Sequence, residues 1–261
     1  FKLTTDLDMS QSQYWDRSDD DGDGHRYNDP NDATDAGSNN GWLPVGFIVY
    51  GNAEYDSWFH GHFDGGGHTI DGLHQRPEDR NYGGLFGYME VAADDSASIK
   101  NLSLTNADFE FQWPNGLSTT GNYYGGILGY GDYSGDDLGT ENHKIVLDNL
   151  SVQGTLLAGD DKNRMGYVGG IVGRVNGGTL SNLRANVTLN ATNSYFVGRL
   201  GYMNYGTITR SYAEGNVAPN EANNSGGIVT YVGGIGGRLV NTDVVEQVGA
   251  SVTVKGPRYV G

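Results

Sequence analysis

Tyr82-Gly83-Gly84-Leu85-Phe86-Gly87-Tyr88 decides the fold, because the chain keeps returning to it. The stretch comes back as Tyr124-Gly125-Gly126-Ile127-Leu128-Gly129-Tyr130, as Val168-Gly169-Gly170-Ile171-Val172-Gly173-Arg174 and as Val232-Gly233-Gly234-Ile235-Gly236-Gly237-Arg238. A worn copy reads Phe196-Val197-Gly198-Arg199-Leu200-Gly201-Tyr202, and Tyr259-Val260-Gly261 begins another. Self-similarity on this scale is the signature of stacked units rather than of one wound core.

A second element follows each motif, with Ile/Leu-x-Asn-Leu at its heart: Ile99-Lys100-Asn101-Leu102, Leu147-Asp148-Asn149-Leu150 and Leu180-Ser181-Asn182-Leu183. Ile208-Thr209-Arg210-Ser211 reads as a degraded copy and Ile70-Asp71-Gly72-Leu73 as a forerunner. A third short strand comes next, for example Val187-Thr188-Leu189 or Val252-Thr253-Val254. The last glycines of successive motifs (87, 129, 173, 201, 237) lie 42, 44, 28 and 36 residues apart, so the shortest interval is the most economical coil. A unit that small cannot bury its own apolar face, and neighbours must stack to make a core.

These spacings predict an all-β fold: a parallel β-helix (β-solenoid) of about six coils, one domain over 1–261 with glycine-motif repeats across 82–261. Loop inserts are expected mainly in the N-terminal half, near 89–97, 109–122, 131–143 and 158–166, with a smaller one near 218–228. The apolar residue of Gly-Gly-Ile-x-Gly should point inward while its glycines permit close backbone approach. Asn101, Asn149 and Asn182 share a register, so their amides are expected to stack in a ladder at a turn.

Composition narrows the function. The 261 residues include 43 glycines without a Gly-X-Y period, which excludes collagen. There is no cysteine, so disulfides and thiolate chemistry are excluded. A formal charge of −16 argues against nucleic acid as a partner and suits the collection of divalent cations. No apolar run is long enough to span a bilayer, so no membrane insertion is expected. The chain opens within a strand-like pattern and ends within a repeat. It is therefore read as part of a longer exported protein, extracellular or on a bacterial cell surface.

The Gly-Gly-Leu-Phe-Gly-Tyr motif, the segment Phe63-Asp64-Gly65-Gly66-Gly67-His68-Thr69-Ile70-Asp71-Gly72-Leu73 and the opening Leu3-Thr4-Thr5-Asp6-Leu7-Asp8-Met9 together resemble GLUG-motif repeat proteins. That family comprises large bacterial surface proteins, including adhesin-like chains and the non-catalytic part of some immunoglobulin A peptidases. The resemblance implies a β-solenoid on an exported protein and no particular reaction. Residues 16–41 depart from the pattern, as do the long inserts before residue 166, and both leave room for a specialised site.

Asp19-Asp20-Asp21-Gly22-Asp23-Gly24-His25 is the clearest chemical feature. Asp19, Asp21 and Asp23 with Gly24 occupy positions 1, 3, 5 and 6 of a calcium loop, and the His25 carbonyl falls at position 7. Position 12 is Pro30, so Asp29 or Asp32 would close the shell around a structural Ca2+. His60 and His62 alternate on one strand face, a spacing zinc tolerates, but they read better as surface histidines. Aromatic residues gather beside the inserts, and flat rings with polar edges near acids are what a sugar-binding groove uses. Trp58, Trp113, Tyr123, Tyr124 and Tyr133 are the candidate ligand contacts, Trp113 foremost.

The expected function is non-catalytic: a calcium-stabilised repeat segment of an adhesin-like protein that binds a glycan or host-surface ligand. The alternative is a secreted polysaccharide-degrading hydrolase or lyase, or its carbohydrate-binding module. Such an enzyme needs two carboxylates across a cleft, one of them a proton donor. Asp94, Asp95, Glu110, Asp132, Asp136, Asp137, Asp160 and Asp161 are all candidates, and nothing in the sequence chooses among them.

Overall fold

The computed structural model describes residues 1–15, 41–46, 57–76, 81–92, 95–111, 121–133, 144–159, 165–191, 194–217, 231–254 and 259–260. It is all-β, and every pairing between its named strands is parallel. The strands form two sheets. One runs through Tyr82–Gly83, Tyr123–Gly125, Met165–Gly169, Ser194–Gly198, Tyr231–Gly233 and Tyr259–Val260, stacked in sequence order. The other is built on His62–Asp71, Ala97–Phe111, Ile145–Ala158, Val172–Ala191, Gly201–Thr209 and Gly236–Glu246, also in sequence order. Sequence neighbours that pair in parallel must be joined by a return path, so this pattern is compatible with a chain coiling forward.

The glycine motif sits where the chain passes from the first sheet to the second. A Cβ on Gly169 would lie 1.9 Å from the carbonyl oxygen of Val172, and one on Gly125 would lie 2.4 Å from that of Leu128. One on Gly173 would meet the Gly129 carbonyl oxygen at 2.5 Å. These corners are backbone against backbone, within a repeat and between repeats, and no side chain fits. The apolar residue between the glycines turns inward as expected: Ile127 and Ile171 are wholly buried, and Leu85 and Leu200 nearly so.

The long strands bend at a column of left-handed residues. Asn101, Asn149, Asn182, Arg210 and Gln247 have φ of 56°, 53°, 53°, 48° and 54°, and the flanking pairings place them one above the other. Asparagine tolerates this conformation at low cost, which explains why it recurs here. The amide ladder forms in part. Asn149 Nδ2 donates to Asn101 Oδ1 at 2.9 Å, and Asn101 Nδ2 donates to Asp64 Oδ1 at 3.0 Å. Asn182 instead donates to Asp148 Oδ1 at 2.6 Å, a charged and therefore stronger acceptor.

The forerunner assigned to Ile70-Asp71-Gly72-Leu73 is corrected. Ile70 pairs with Leu104 and Asp71 with Thr105, whereas Phe63 and Asp64 pair with Ile99 and Lys100. The three glycines 65–67 therefore occupy the Asn101 corner. Repeating glycine hides the offset, because the strand His62–Asp71 turns that corner with extra residues.

Behind these corners run apolar columns. Ile99, Leu147, Leu180 and Ile208 are in register, as are Leu102, Leu150 and Leu183, and all are buried. Each side chain buried this way contributes about 1.5–3 kcal/mol relative to exposure. The columns become partly exposed at the C-terminal end, where Val245 continues the first of them at 48% exposure.

Candidate ligand-binding site

The described aromatic candidates divide sharply. Tyr124 is wholly buried, stacked on Phe111 at 4.4 Å between centroids, and Tyr133 is buried in the same core. Tyr123 is 9% exposed and stands in a file of rings. Tyr82, Tyr123, Tyr167, Phe196 and Tyr231 succeed one another at 5.4, 5.0, 4.8 and 5.3 Å, with interplanar angles between 10° and 15°. Their faces are spent on each other. Tyr123, Tyr124 and Tyr133 are thus corrected from ligand platforms to packing residues. Burial also pushes the Tyr123 and Tyr124 hydroxyls above the ordinary phenol range. Trp113 and the calcium-loop residues Asp19, Asp21, Asp23, His25, Asp29 and Asp32 lie outside the described residues.

The file of rings was missed in the sequence, though a signal was there. Tyr123, Tyr167, Phe196 and Tyr231 each fall two positions before the first glycine of a motif copy. The final motif position supplies the companions Tyr88, Tyr130, Arg174, Tyr202 and Arg238 in one register. The Arg174 guanidinium lies 5.2–6.0 Å from the centroids of Tyr123, Tyr130, Tyr167 and Tyr202. A cation among four ring faces strengthens this seam.

Trp58 is different: its side chain is 52% exposed. It stands over a largely apolar depression of about 550 Å³, lined also by Phe1, Val45, Phe59, Phe63 and Phe86 with His60 and Ser57 at hand. Two parallel bridges, Val45 to Phe86 and Phe59 to Met89, hold the flanking segments against the first glycine motif. Phe59 and Phe63 pack on Phe86 at 4.8 and 5.3 Å. The floor is therefore core, and the indole is its free wall.

His60 fastens this wall. Its Nδ1 meets the Glu90 carbonyl at 3.2 Å, and its Nε2 meets Asp95 Oδ2 at 2.5 Å. The Glu90 carbonyl first, then Asp95, raises the His60 pKa above 6.5, while the Ser96 amide and His60 lower that of Asp95. A raised pKa means the folded chain favours the protonated ring. The stabilisation is complete below pH 6.5 and is lost as pH rises through the raised value. Urea titrations across that interval should show stability falling with pH, and His60→Gln should flatten the dependence.

Three of the candidate acids lie among the described residues, and each has a partner within the fold. Asp95 is held below the usual carboxylate range, Glu110 pairs with Arg76, and Asp132 accepts from Asn176 Nδ2 at 2.9 Å. Asp94, Asp136, Asp137, Asp160 and Asp161 lie outside the described residues. Among the described residues no group of three or more His, Asp or Glu is placed to hold a metal. His62 Nδ1 meets Ser98 Oγ at 3.0 Å.

The fold and this site together define an all-β chain of parallel strands with an aromatic-walled depression at its N-terminal end. Neither a protein-family model nor a curated protein matches the sequence. The fold is similar to the crystal structure of a Bacteroides ovatus protein provisionally described as an immunoglobulin A1 protease. The TM-score is 0.53 at 18% identity, covering 98% of this chain and 70% of that one.

Proposed function

We propose that the chain is a β-helix of about six coils, the non-catalytic repeat segment of an adhesin-like exported bacterial protein, holding a glycan or host-surface ligand. The observation that carries binding is Trp58, a half-exposed indole beside a depression of about 550 Å³. A flat ring next to an apolar floor suits the C–H face of a pyranose. The coil count rests on the five copies of the glycine motif and on Tyr259–Val260, whose backbone extends the first sheet beside Tyr231–Gly233. The likeness to GLUG-motif repeats supports an extracellular or cell-surface location and membership of a longer chain.

On a glycan array, Trp58→Ala should weaken binding by about tenfold, roughly 1.4 kcal/mol, while leaving the melting temperature unchanged. Unaltered binding would remove Trp58 from the site. Release of new reducing or unsaturated ends from a polysaccharide would replace this reading with that of an enzyme.

Calcium at Asp19, Asp21, Asp23, the His25 carbonyl, and Asp29 or Asp32 would order an acidic segment that has almost nothing apolar to bury. Chelation should lower the melting temperature, and calcium should restore it. An unchanged melting temperature would strike calcium from the account.

A further inference from the structure

Arg199 occupies the position that the other copies of the motif give to Gly84, Gly126, Gly170 and Gly234. The register is direct: Ile171 N donates to the Arg199 carbonyl, and Leu200 N to that of Ile235. That position faces the interior. A Cβ on Gly126 would meet Val152 Cγ1 at 2.9 Å, and one on Gly170 would meet Val187 Cγ2 at 2.8 Å. An arginine can enter only where the opposing residue retreats, and it does. Gly215 stands in register with Val187 on one side and Val252 on the other. A Cβ there would lie 2.9 and 3.0 Å from Arg199 Nη1 and Nη2.

The guanidinium so admitted is wholly buried, and among the described residues Nε, Nη1 and Nη2 have no hydrogen-bond partner. Val187, Ala185, Ala213, Val217 and Leu200, all buried around the same coil, are apolar. Burial pushes its pKa down to about 10, so the charge persists at neutral pH. An isolated buried charge with five free N–H donors is costly, and such groups take up counter-charge or acceptors. Water would satisfy donors but leave the charge. A carboxylate or phosphate is bulky for a place with no exposed surface.

We propose that Arg199, admitted by Gly215, is an internal binding site for a small monovalent anion of the halide class. The site is independent of the ligand reading at Trp58. Because it is enclosed, the anion enters when the coil opens or as the chain folds, so the probe must be present during refolding.

Protein refolded and crystallised in sodium bromide should show an anomalous peak within about 4 Å of the guanidinium. Its melting temperature should be higher in sodium chloride than in sodium gluconate of equal ionic strength, and Arg199→Met should abolish that difference. If Arg199→Met does not fold, Arg199→Gly combined with Gly215→Val restores the pattern of the neighbouring coils and serves as the control. Absence of the anomalous peak, or a chloride increment of equal size in the control variant, overturns the proposal.

Discussion

Gly169→Ala should cost about 3 kcal/mol or more and leave much of the chain unfolded at modest urea concentrations. The new Cβ would sit 1.9 Å from the Val172 carbonyl oxygen and 2.8 Å from Gly201 Cα in the next coil. Both obstacles are backbone, so no rotamer change relieves them. Moving Val172 would disturb its pairing to Leu128, and moving Gly201 would disturb its pairing to Gly236. Gly121→Ala is the matched control, since a Cβ there meets nothing within 4 Å among the described residues. It should stay within about 0.5 kcal/mol of the parent. Equal urea midpoints for the two variants would refute this account of the motif.

Gln75→Leu should be nearly as damaging through a different route. Gln75 is wholly buried, and its amide is a staple. Oε1 accepts from Gly84 N–H at 2.7 Å, while Nε2 donates to the carbonyls of Trp42 and Gly84 at 2.9 and 3.2 Å. Leucine has similar bulk but leaves these backbone groups without that partner inside the protein. Each orphaned group costs about 1–3 kcal/mol, so a loss of about 3 kcal/mol is expected. Trp42 also donates its indole N–H to Leu85 O at 3.1 Å, so its fluorescence should report the same loosening. An unshifted urea midpoint with native Trp42 emission would show that the staple is dispensable.

The glycine motif and the Asn corner were legible because both are backbone demands, and such demands leave the same residue types wherever they recur. Ile127 and Ile171 could be placed inward for the same reason: a corner with no room for side chains leaves one apolar position to fill the core. Side-chain partnerships were harder to read. Tyr123 looks like a free aromatic until Tyr167 and Phe196, 44 and 73 residues on, are seen above it. Arg199 looks like decay of the motif until Gly215 is found opposite. At 63–73 the pattern misled, because one glycine is indistinguishable from another when the question is which corner it turns. Trp58 was one of five aromatic candidates, with Trp113 placed foremost. The depression beside Trp58 could not be read, because Phe1, Val45 and Phe86 come to it from separate stretches of the chain.

The upright files of Asn, Gly and aromatic residues have a consequence for how such a chain can diversify. Each file indexes its coil by one or two residues, and what lies between two files is never counted. Motif spacings of 42, 44, 28 and 36 residues are accommodated while Phe86, Leu128 and Val172 stay in register. Length is thus a free variable, and novelty can be written into the intervals while the index stays unaltered.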